Sequence, residues 1–241
     1  MEGLSDWALL QLWESGLERH PIDRGLLLLA YTLPGYSLEQ LRRLTVGQRN
    51  ERVLELRRCT MGSKMSCYAV CPHCGESLEF SLDSSMFAAQ AVEAFAGEIA
   101  IEDYRIAYRL PNSSDLGAAA SQRDLTAARD VLLKRCVTRA MREDQIVDAL
   151  KLPQTVITEL GNVISQHDPL AEISLNLRCG SCAGEWAILL DIVAFFWKEM
   201  SARAYRLMED VHLLASSYGW HEKDILSMSP TRRAYYLSLR A

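Results

Sequence analysis

Apolar residues recur at helical spacing near both ends of the chain. Residues three and four apart share one face of a helix, so this spacing predicts amphipathic helices. The predicted N-terminal helices are Trp7–Leu17, Pro21–Leu29, a short helix from Ser37, and Thr45–Thr60. The predicted C-terminal helices are Ile192–Tyr218, Glu222–Met228 and Pro230–Leu239. Both ends of the chain are therefore expected to be helical.

Apolar residues recur at every second position in two other regions, alternating with polar or exposed positions, which is typical of half-buried β-strands. The alternating apolar positions of the first region are Met65, Cys67, Ala69, Leu78, Phe80 and Leu82. Those of the second are Ile173, Leu175, Leu177, Trp186, Ile188 and Leu190. A C-x-x-C turn interrupts each region at its middle. We therefore expect two β-hairpins, each with a pair of cysteines at its tip.

The fold class predicted from these patterns is α+β and mostly helical, with a split zinc ribbon surrounded by helices. A further strand is expected over Tyr104–Leu110, and helices over Asp124–Met141 and from Pro153 to about Gln166. The predicted segments are an N-terminal helical region (1–62), a first hairpin with a strand (63–111), a helical insert (112–168), a second hairpin (169–191) and C-terminal helices (192–241). Residues 63–241 are expected to form one composite domain.

The two hairpin regions also form an internal repeat that aligns without a gap. The matched pairs include Cys71 with Cys179, Cys74 with Cys182, Asp83 with Asp191, and Phe87 with Phe195. The alternating apolar positions match as well. Each unit is thus predicted to run strand, C-x-x-C turn, strand, aspartate, and then a segment with an inward phenylalanine.

The spacing of these cysteines predicts a structural metal site. Tetrahedral zinc takes four ligands, and a C-x-x-C turn presents two thiolates to one ion. The candidate ligands are Cys71, Cys74, Cys179 and Cys182. A rubredoxin-like iron would use the same ligands, and metal-free or redox-active dithiols are the remaining interpretations. In the second turn, Gly180 stands where the first has Pro72, and Ala183 stands where the first has Gly75.

Other cysteine and histidine residues are interpreted as structural. Cys67 aligns with the core position Leu175, while Cys59 and Cys136 fall on apolar helix faces. His73 lies between two ligands, where its ring is expected to point outward.

No arrangement of residues predicts catalysis. A site with four protein sulfurs leaves no coordination position for water or substrate. His167-Asp168 precedes Pro169 and is interpreted as a helix end and turn. We expect a protein that is not an enzyme and has no small-molecule substrate.

Net charge and the character of the N-terminus narrow the expected class of protein and its location. The 241 residues carry a net charge of −5, which disfavours nucleic-acid binding because affinity for phosphate needs clustered Lys and Arg. The N-terminus is acidic where a signal peptide would be basic, and no apolar run is long enough to span a bilayer. Two C-x-x-C pairs in such a chain favour metal binding over disulfides. The expected location is the cytoplasm, with no membrane partner.

Several short motifs occur together in one order along the chain. They are Thr45-Val46-Gly47-Gln48-Arg49-Asn50, the first C-x-x-C turn, Tyr108-Arg109-Leu110-Pro111, His167-Asp168-Pro169-Leu170-Ala171, the second C-x-x-C turn, and Tyr218-Gly219-Trp220-His221-Glu222 through Arg232-Arg233. Over roughly residues 45–241 the chain resembles the baseplate hub assembly chaperones of T-even-type contractile phage tails. Relatives of that family occur in phage-tail-like contractile injection systems.

The resemblance implies a non-enzymatic role in assembling the baseplate hub, in the cytoplasm of a bacterial host. It implies hub or other tail proteins as partners and transfers no catalytic residue. The C-terminal segment suits such an interface, because aromatic and arginine side chains are enriched at protein contacts. The candidate partner-binding residues are Trp220, Arg232, Arg233, Tyr235 and Tyr236. Packing of the same side chains on the long helix is the alternative.

Two rival functions follow from the cysteine pattern. One is a nucleic-acid-binding zinc-ribbon regulator, against which the acidic charge and the scattered arginines weigh. The other is a dithiol oxidoreductase, which metal occupancy of the thiols would exclude.

Overall fold

The computed structural model describes residues 2–87 and 96–239. The helices are α1 (Asp6–Gly16), α2 (Pro21–Thr32), α3 (Leu38–Arg43), α4 (Val46–Met61), α5 (Ser113–Ala120), α6 (Leu125–Cys136), α7 (Gln154–His167), α8 (Ile192–Tyr218), α9 (Glu222–Ser227) and α10 (Pro230–Ser238). The strands are β1 (Lys64–Val70), β2 (Ser77–Asp83), β3 (Ala96–Ile101), β4 (Tyr104–Arg109), β5 (Val137–Arg142), β6 (Gln145–Ile146), β7 (Ile173–Arg178) and β8 (Glu185–Leu190). The mostly helical α+β class is confirmed. Residues 88–95 of the predicted first-hairpin segment lie outside the described residues.

Three of the N-terminal helices begin at side chains that cap their first turn. Ser5 Oγ accepts the Ala8 N–H at 3.2 Å and starts α1. Ser37 and Thr45 each form a capping box with the glutamine three residues later, at the starts of α3 and α4. Each side chain satisfies backbone donors that the first helical turn leaves unpaired, which fixes where the helix begins.

The long helix α8 organises the larger hydrophobic core. Asp191 caps its start, and Gly219, at φ 68°, ends it in the left-handed conformation. Its fully buried side chains include Phe196 and Met200, which lie among residues of α1, α4 and both hairpins. Among the described helices, none is long and apolar enough to cross a membrane.

Charged side chains tie the terminal helices to α8. Asp6 of α1 accepts hydrogen bonds from Arg203 of α8 and from Arg233 of α10, both at 2.7 Å. Arg233 also reaches Asp210 at 3.0 Å. These groups are mostly buried, so each charge depends on its partners to offset the loss of water. The N-terminal and C-terminal helices are thereby joined.

The predicted hairpins form as two separate antiparallel pairs, β1–β2 and β7–β8. In the first, Met65 lies opposite Leu82 and Cys67 opposite Phe80. In the second, the aligned residues occupy the same register, with Ile173 opposite Leu190. The internal repeat in the sequence is therefore a repeat of strand pairing as well.

A four-stranded antiparallel sheet in the order β3-β4-β5-β6 was not anticipated. The predicted helix Asp124–Met141 is wrong beyond Cys136, where the chain becomes β5. Val137 and Ala140 are buried in this strand, which pairs with β4 through Ile106↔Ala140. The apolar spacing fits a helix locally, but pairing with a distant strand decides the conformation. The strands β3 and β6 were also missed.

The sheet has a hydrophobic core of its own. Val156 and Leu160 of α7 pack against Ile106 and Tyr108 of β4. Beside it, the Asp115 carboxylate is fully buried and accepts hydrogen bonds from Arg109 at 2.6 Å and from Arg135 at 2.7 Å. This ion cluster connects α5 and α6 to the end of β4.

Candidate metal centre

Each hairpin tip is a tight turn held by the same two main-chain hydrogen bonds. In the first, the Cys71 N–H donates to the Glu76 carbonyl at 2.8 Å, and the Gly75 N–H donates to the Cys71 carbonyl at 2.9 Å. In the second, Cys179 and Gly184 form the first bond at 2.9 Å, and Ala183 donates to Cys179 at 3.0 Å. Both turns therefore orient their two cysteines in the same way.

The two tips bring all four predicted cysteines together. The Sγ atoms of Cys71, Cys74, Cys179 and Cys182 all lie within 4.8 Å of one another. Two of the pairs join the hairpins directly, Cys71 to Cys182 at 3.7 Å and Cys74 to Cys179 at 3.6 Å. Ligands separated by more than a hundred residues in sequence thus meet at one point.

This spacing suits tetrahedral coordination. Metal–sulfur bonds of about 2.3 Å at tetrahedral angles place the sulfur atoms about 3.8 Å apart. The first cysteine of each turn is buried and the second is exposed, so the cluster lies at the protein surface with its inner side against the hairpins. The four residues are close enough to hold a metal ion.

The backbone around the cluster shifts the thiol pKa values. The N–H of Cys182, helped by that of Ser181, lowers the pKa of Cys179 to about 7, although burial opposes it. The N–H of Glu76 lowers the pKa of Cys74, but the sulfurs of Cys182 and Cys179 and burial outweigh it and raise that pKa to about 12. The Cys179 thiol therefore ionises near neutral pH, and its thiolate lies within hydrogen-bonding distance of neighbouring thiols. A metal cation that binds the four sulfurs displaces the remaining thiol protons.

At the position aligned with Gly75, the second tip has an alanine, Ala183, in a strained backbone conformation. Gly75 has φ 76° and Ala183 has φ 56°, both in the left-handed region. A residue with Cβ is disfavoured there, yet Ala183 adopts the conformation that the turn requires. The substitution noted in the sequence therefore leaves the turn geometry intact.

His73 joins the two tips directly. Its ring is exposed, as predicted, but lies against the second hairpin, with Nε2 at 3.4 Å from the Glu185 carbonyl. A Cβ atom on Gly184 would lie 2.5 Å from the His73 ring. Gly184 is therefore needed for the approach of the two tips, a role that the sequence pattern did not indicate.

The other end of each hairpin is fixed by an aspartate. Asp83 accepts the Ser85 N–H at 2.9 Å, and Asp191 accepts the Ala194 N–H at 3.0 Å. Both aspartates thus cap the helical turn that follows the second strand of their hairpin. Phe87 and Phe195, the next aligned pair, pack against the same core.

Arg57 holds the first hairpin against α8 and was missed in the sequence. Its buried guanidinium donates to both Glu199 oxygens, at 2.9 and 2.7 Å, and to the carbonyls of Gly62 and Lys64. Nothing in the local sequence distinguishes Arg57 from the other scattered arginines. A single charged side chain here satisfies the backbone where α4 ends and β1 begins.

The remaining cysteines do not join the cluster in the described part of the chain. Cys136 is buried and burial raises its pKa to about 11, in agreement with a core position. Cys67 is half-buried beside the larger core. Cys59, predicted to be in the core, is exposed on α4.

The candidate partner-binding residues lie in an aromatic cluster at the C-terminal end of α8. Tyr218 stacks on Trp220 at 4.5 Å, and Tyr236 meets the Trp220 ring edge-on at 4.8 Å. Tyr235 is 61% exposed, and the Arg232 guanidinium lies 5.9 Å from the Tyr236 ring. Some of these side chains therefore pack on one another beside the long helix, while Tyr235 and Arg232 remain exposed to solvent.

Arg233 is an exception among these residues. Its side chain is buried and its guanidinium is paired with Asp6 and Asp210. Arg233 is therefore not exposed to a partner in this structure, because its donors hold the protein's own helices together.

Motifs far apart in the sequence also meet at the start of α4. The Gly47 N–H donates to Asp168 Oδ2 at 3.0 Å, and Asn50 donates to the Leu170 carbonyl at 2.7 Å. The Val46 N–H donates to the Pro111 carbonyl at 3.0 Å. Asp168 ends α7, as the sequence predicted, and burial raises its pKa.

These features define an α+β protein in which a four-cysteine centre joins two repeated hairpins. The family described as T4 bacteriophage base plate protein matches residues 28–197. The chain belongs to this family. The matched region begins before the motifs that carry the resemblance and includes both cysteine turns, whereas the aromatic cluster lies beyond its end. No curated protein and no solved structure gives a significant match.

Proposed function

We propose that this protein is a non-enzymatic chaperone that assists assembly of the central hub of a contractile-tail baseplate. Its membership of the T4 base plate protein family carries the proposal, because that family places it among phage tail proteins. Hub proteins or other tail proteins are then its partners.

We propose further that the four cysteines hold a structural zinc ion. The support is the convergence of the sulfurs at near-tetrahedral spacing from two independent turns. When all four ligands come from the protein, the metal has no open position for substrate, so its contribution is to folding. Zinc then keeps the hairpins joined at their tips and restricts local opening between them.

The aromatic cluster is the proposed hub-binding surface. Tyr235 and Arg232 are exposed there, whereas Trp220 and Tyr236 support them from beneath. Interfaces favour rigid aromatic side chains, which bury large areas at a low entropic cost, and arginines, which present several hydrogen-bond donors in a fixed geometry. The arrangement provides a preformed contact site at the end of α8.

Co-expression with the hub proteins of a contractile-tail baseplate tests the proposal. We expect hub proteins to co-purify with the wild-type chain and to assemble in lower yield when the chain is omitted. The double variant Arg232→Ala, Tyr235→Ala should lose this association, since both side chains are exposed and neither supports the core. Tyr36→Ala, an exposed tyrosine before α3, is the matched control and should bind normally.

Two results would contradict the proposal. One is the absence of any hub protein with the wild-type chain together with normal hub assembly when the chain is omitted. The other is salt-dependent retention on DNA or RNA, which would favour the nucleic-acid-binding alternative.

A further inference from the structure

A cleft of about 810 Å³ lies between the two hairpins and the start of α8. Its walls include Ser66–Tyr68 of β1 and Ile188–Leu190 of β8. Neighbouring residues of a strand point to opposite faces, so three in a row line a cleft only where it follows the edge of the strand. The cleft therefore runs along an edge of each hairpin.

The register shows which backbone groups of β1 face this cleft. Cys71 donates to Glu76 at the tip, and Ser84 donates to the Ser63 carbonyl at 2.9 Å at the base. Residues that bond the partner strand alternate between these two points. Ser66 and Tyr68 fall between them and direct their N–H and C=O groups away from β2.

The same argument applies to β8. The bond from Cys179 to Gly184 sets the alternation, so Ala187 and Leu189 direct their backbone groups away from β7. The Glu185 carbonyl belongs to this outward set and is contacted by the His73 ring. The outer edge of β8 thus faces the first hairpin, and the cleft separates two outward edges.

Neither edge has a partner strand among residues 2–87 and 96–239, where each hairpin is a sheet of two strands. Tyr68 is 61% exposed and Leu189 is 67% exposed beside these edges. An unpaired edge with exposed apolar side chains is a template for an added strand.

The charged side chains that line the cleft indicate which kind of ligand it would bind. Arg24 and Lys198 line it, and neither forms an ion pair with a described residue. The carboxylates that line it are engaged, because Glu199 pairs with Arg57 and Asp191 caps α8. The unpaired charges are therefore positive and complement an acidic ligand.

We propose that this cleft binds an extended, acidic segment of a tail protein as an added β-strand between β1 and β8. Main-chain hydrogen bonds to the two edges hold the segment. Its alternate apolar side chains pack on Cys67, Phe80 and Phe195, while a carboxylate meets Arg24 or Lys198. The identity of the partner as a tail protein rests on the proposed function; the mode of binding rests on the cleft.

Proline substitutions test the main-chain contacts. Ser66→Pro and Leu189→Pro each remove an N–H that faces the cleft and leave the bonds within the hairpins intact. Ser81→Pro and Ser174→Pro are matched controls, since these residues lie directly opposite on the partner strands. Circular dichroism and metal content should be unchanged in all four variants, which establishes that they fold.

Overlapping peptides that cover the hub proteins serve as probes in fluorescence anisotropy. We expect an acidic peptide with alternating apolar residues to bind the wild type and both controls equally. Its affinity should fall by about tenfold or more in Ser66→Pro and Leu189→Pro, as expected for lost main-chain bonds. Binding should also slow hydrogen exchange at the amides of Ser66, Tyr68 and Leu189.

The outcomes separate the two proposals. If the intact hub proteins bind, but every hub peptide binds the wild type and the cleft prolines equally or not at all, strand addition is refuted and the chaperone role stands. Failure of every hub protein to bind would refute the chaperone role and this partner with it. Self-association of the wild type that Ser66→Pro abolishes would show that a second copy occupies the cleft, which would also overturn the inference.

Discussion

The backbone N–H of Gly47 donates to the Asp168 carboxylate across 3.0 Å, joining the first turn of α4 to the end of α7. A Cβ atom at position 47 would lie 1.7 Å from Asp168 Oδ1. Residues 121 positions apart are thus held together by a contact that only glycine permits.

Substituting Gly47 tests this contact. Gly47→Ala should lower the free energy of unfolding by about 3 kcal/mol, because Asp168 is buried and cannot move aside without breaking its bond. Gly161→Ala, in the middle of α7 with open space around it, should instead gain up to about 1 kcal/mol. Urea denaturation measures both, and equal stability of the two variants would contradict the argument.

Two buried carboxylates should give opposite dependences on pH. Burial opposes ionisation of Asp115, but the bonds from Arg109, the Asn112 N–H and Arg135 outweigh it and lower its pKa. Burial raises the pKa of Asp168. In the unfolded chain an aspartate has a pKa of about 3.9. The stabilisation that Asp115 contributes is therefore present above this pH and is lost as the pH falls below it. The Asp168 contribution is present at low pH and is lost as the pH rises through its folded pKa.

Comparison with the asparagine variants isolates the pH-dependent contribution of each aspartate to the free energy of unfolding. The stability of the wild type minus that of Asp115→Asn should shrink as the pH falls below about 4. The stability of the wild type minus that of Asp168→Asn should shrink as the pH rises above about 4 and through the raised folded pKa of Asp168. Each pair carries the same cysteines, so metal loss cancels in the difference. Slopes of the same sign would show that one of the two environments is misassigned.

The strained turn offers a stabilising substitution. Ala183→Gly should raise the free energy of unfolding by about 1 kcal/mol, because glycine adopts φ 56° without the steric penalty on Cβ. Gly75→Ala, at the aligned position of the first turn, should lower it by a similar amount. Thermal denaturation of the metal-loaded proteins measures both shifts, and metal content should stay unchanged.

Removal of a ligand should abolish metal binding. We expect about one zinc per chain in the wild type by elemental analysis and a marked loss in Cys71→Ser or Cys179→Ser, since three sulfurs leave the coordination incomplete. Cys67→Ser removes a nearby thiol outside the cluster and should retain the metal. A red protein with absorbance in the visible range would identify iron in its place. Stoichiometry unaffected by loss of Cys71 would refute the site.

Neighbouring arginines near the C-terminus should behave differently. Arg233→Ala leaves Asp210 without its partner and Asp6 with Arg203 alone in a mostly buried network, and should cost about 3 kcal/mol. Arg232→Ala, at an exposed position, should change stability by less than about 0.5 kcal/mol. Denaturation curves of the two variants separate a structural arginine from a surface one.

The four-cysteine cluster was predictable because its signal lies in local spacing. Two C-x-x-C turns within alternating strands repeat one pattern, and the register Met65↔Leu82 is reproduced by Ile173↔Leu190. The helix starts at Ser5, Ser37 and Thr45 were predictable for the same reason, since capping depends on residues within one turn.

The four-stranded sheet could not be predicted in the same way. The conformation of Val137–Arg142 depends on pairing with Tyr104–Arg109, and no pattern in the local sequence predicts that pairing. The bond from Gly47 to Asp168 and the burial of Arg233 likewise depend on partners far along the chain. Local patterns specified the two hairpins, whereas long-range pairing determined the rest.

The division of the cysteines between two hairpins has a consequence during synthesis on the ribosome. Cys74 and Cys179 are 105 positions apart, so at typical elongation rates the first pair waits about 5 to 20 s for the second. A nascent or truncated chain holds only half of the coordination sphere and binds metal weakly. With the proposed zinc ion, tight capture therefore requires that translation has passed Cys182 in the second turn.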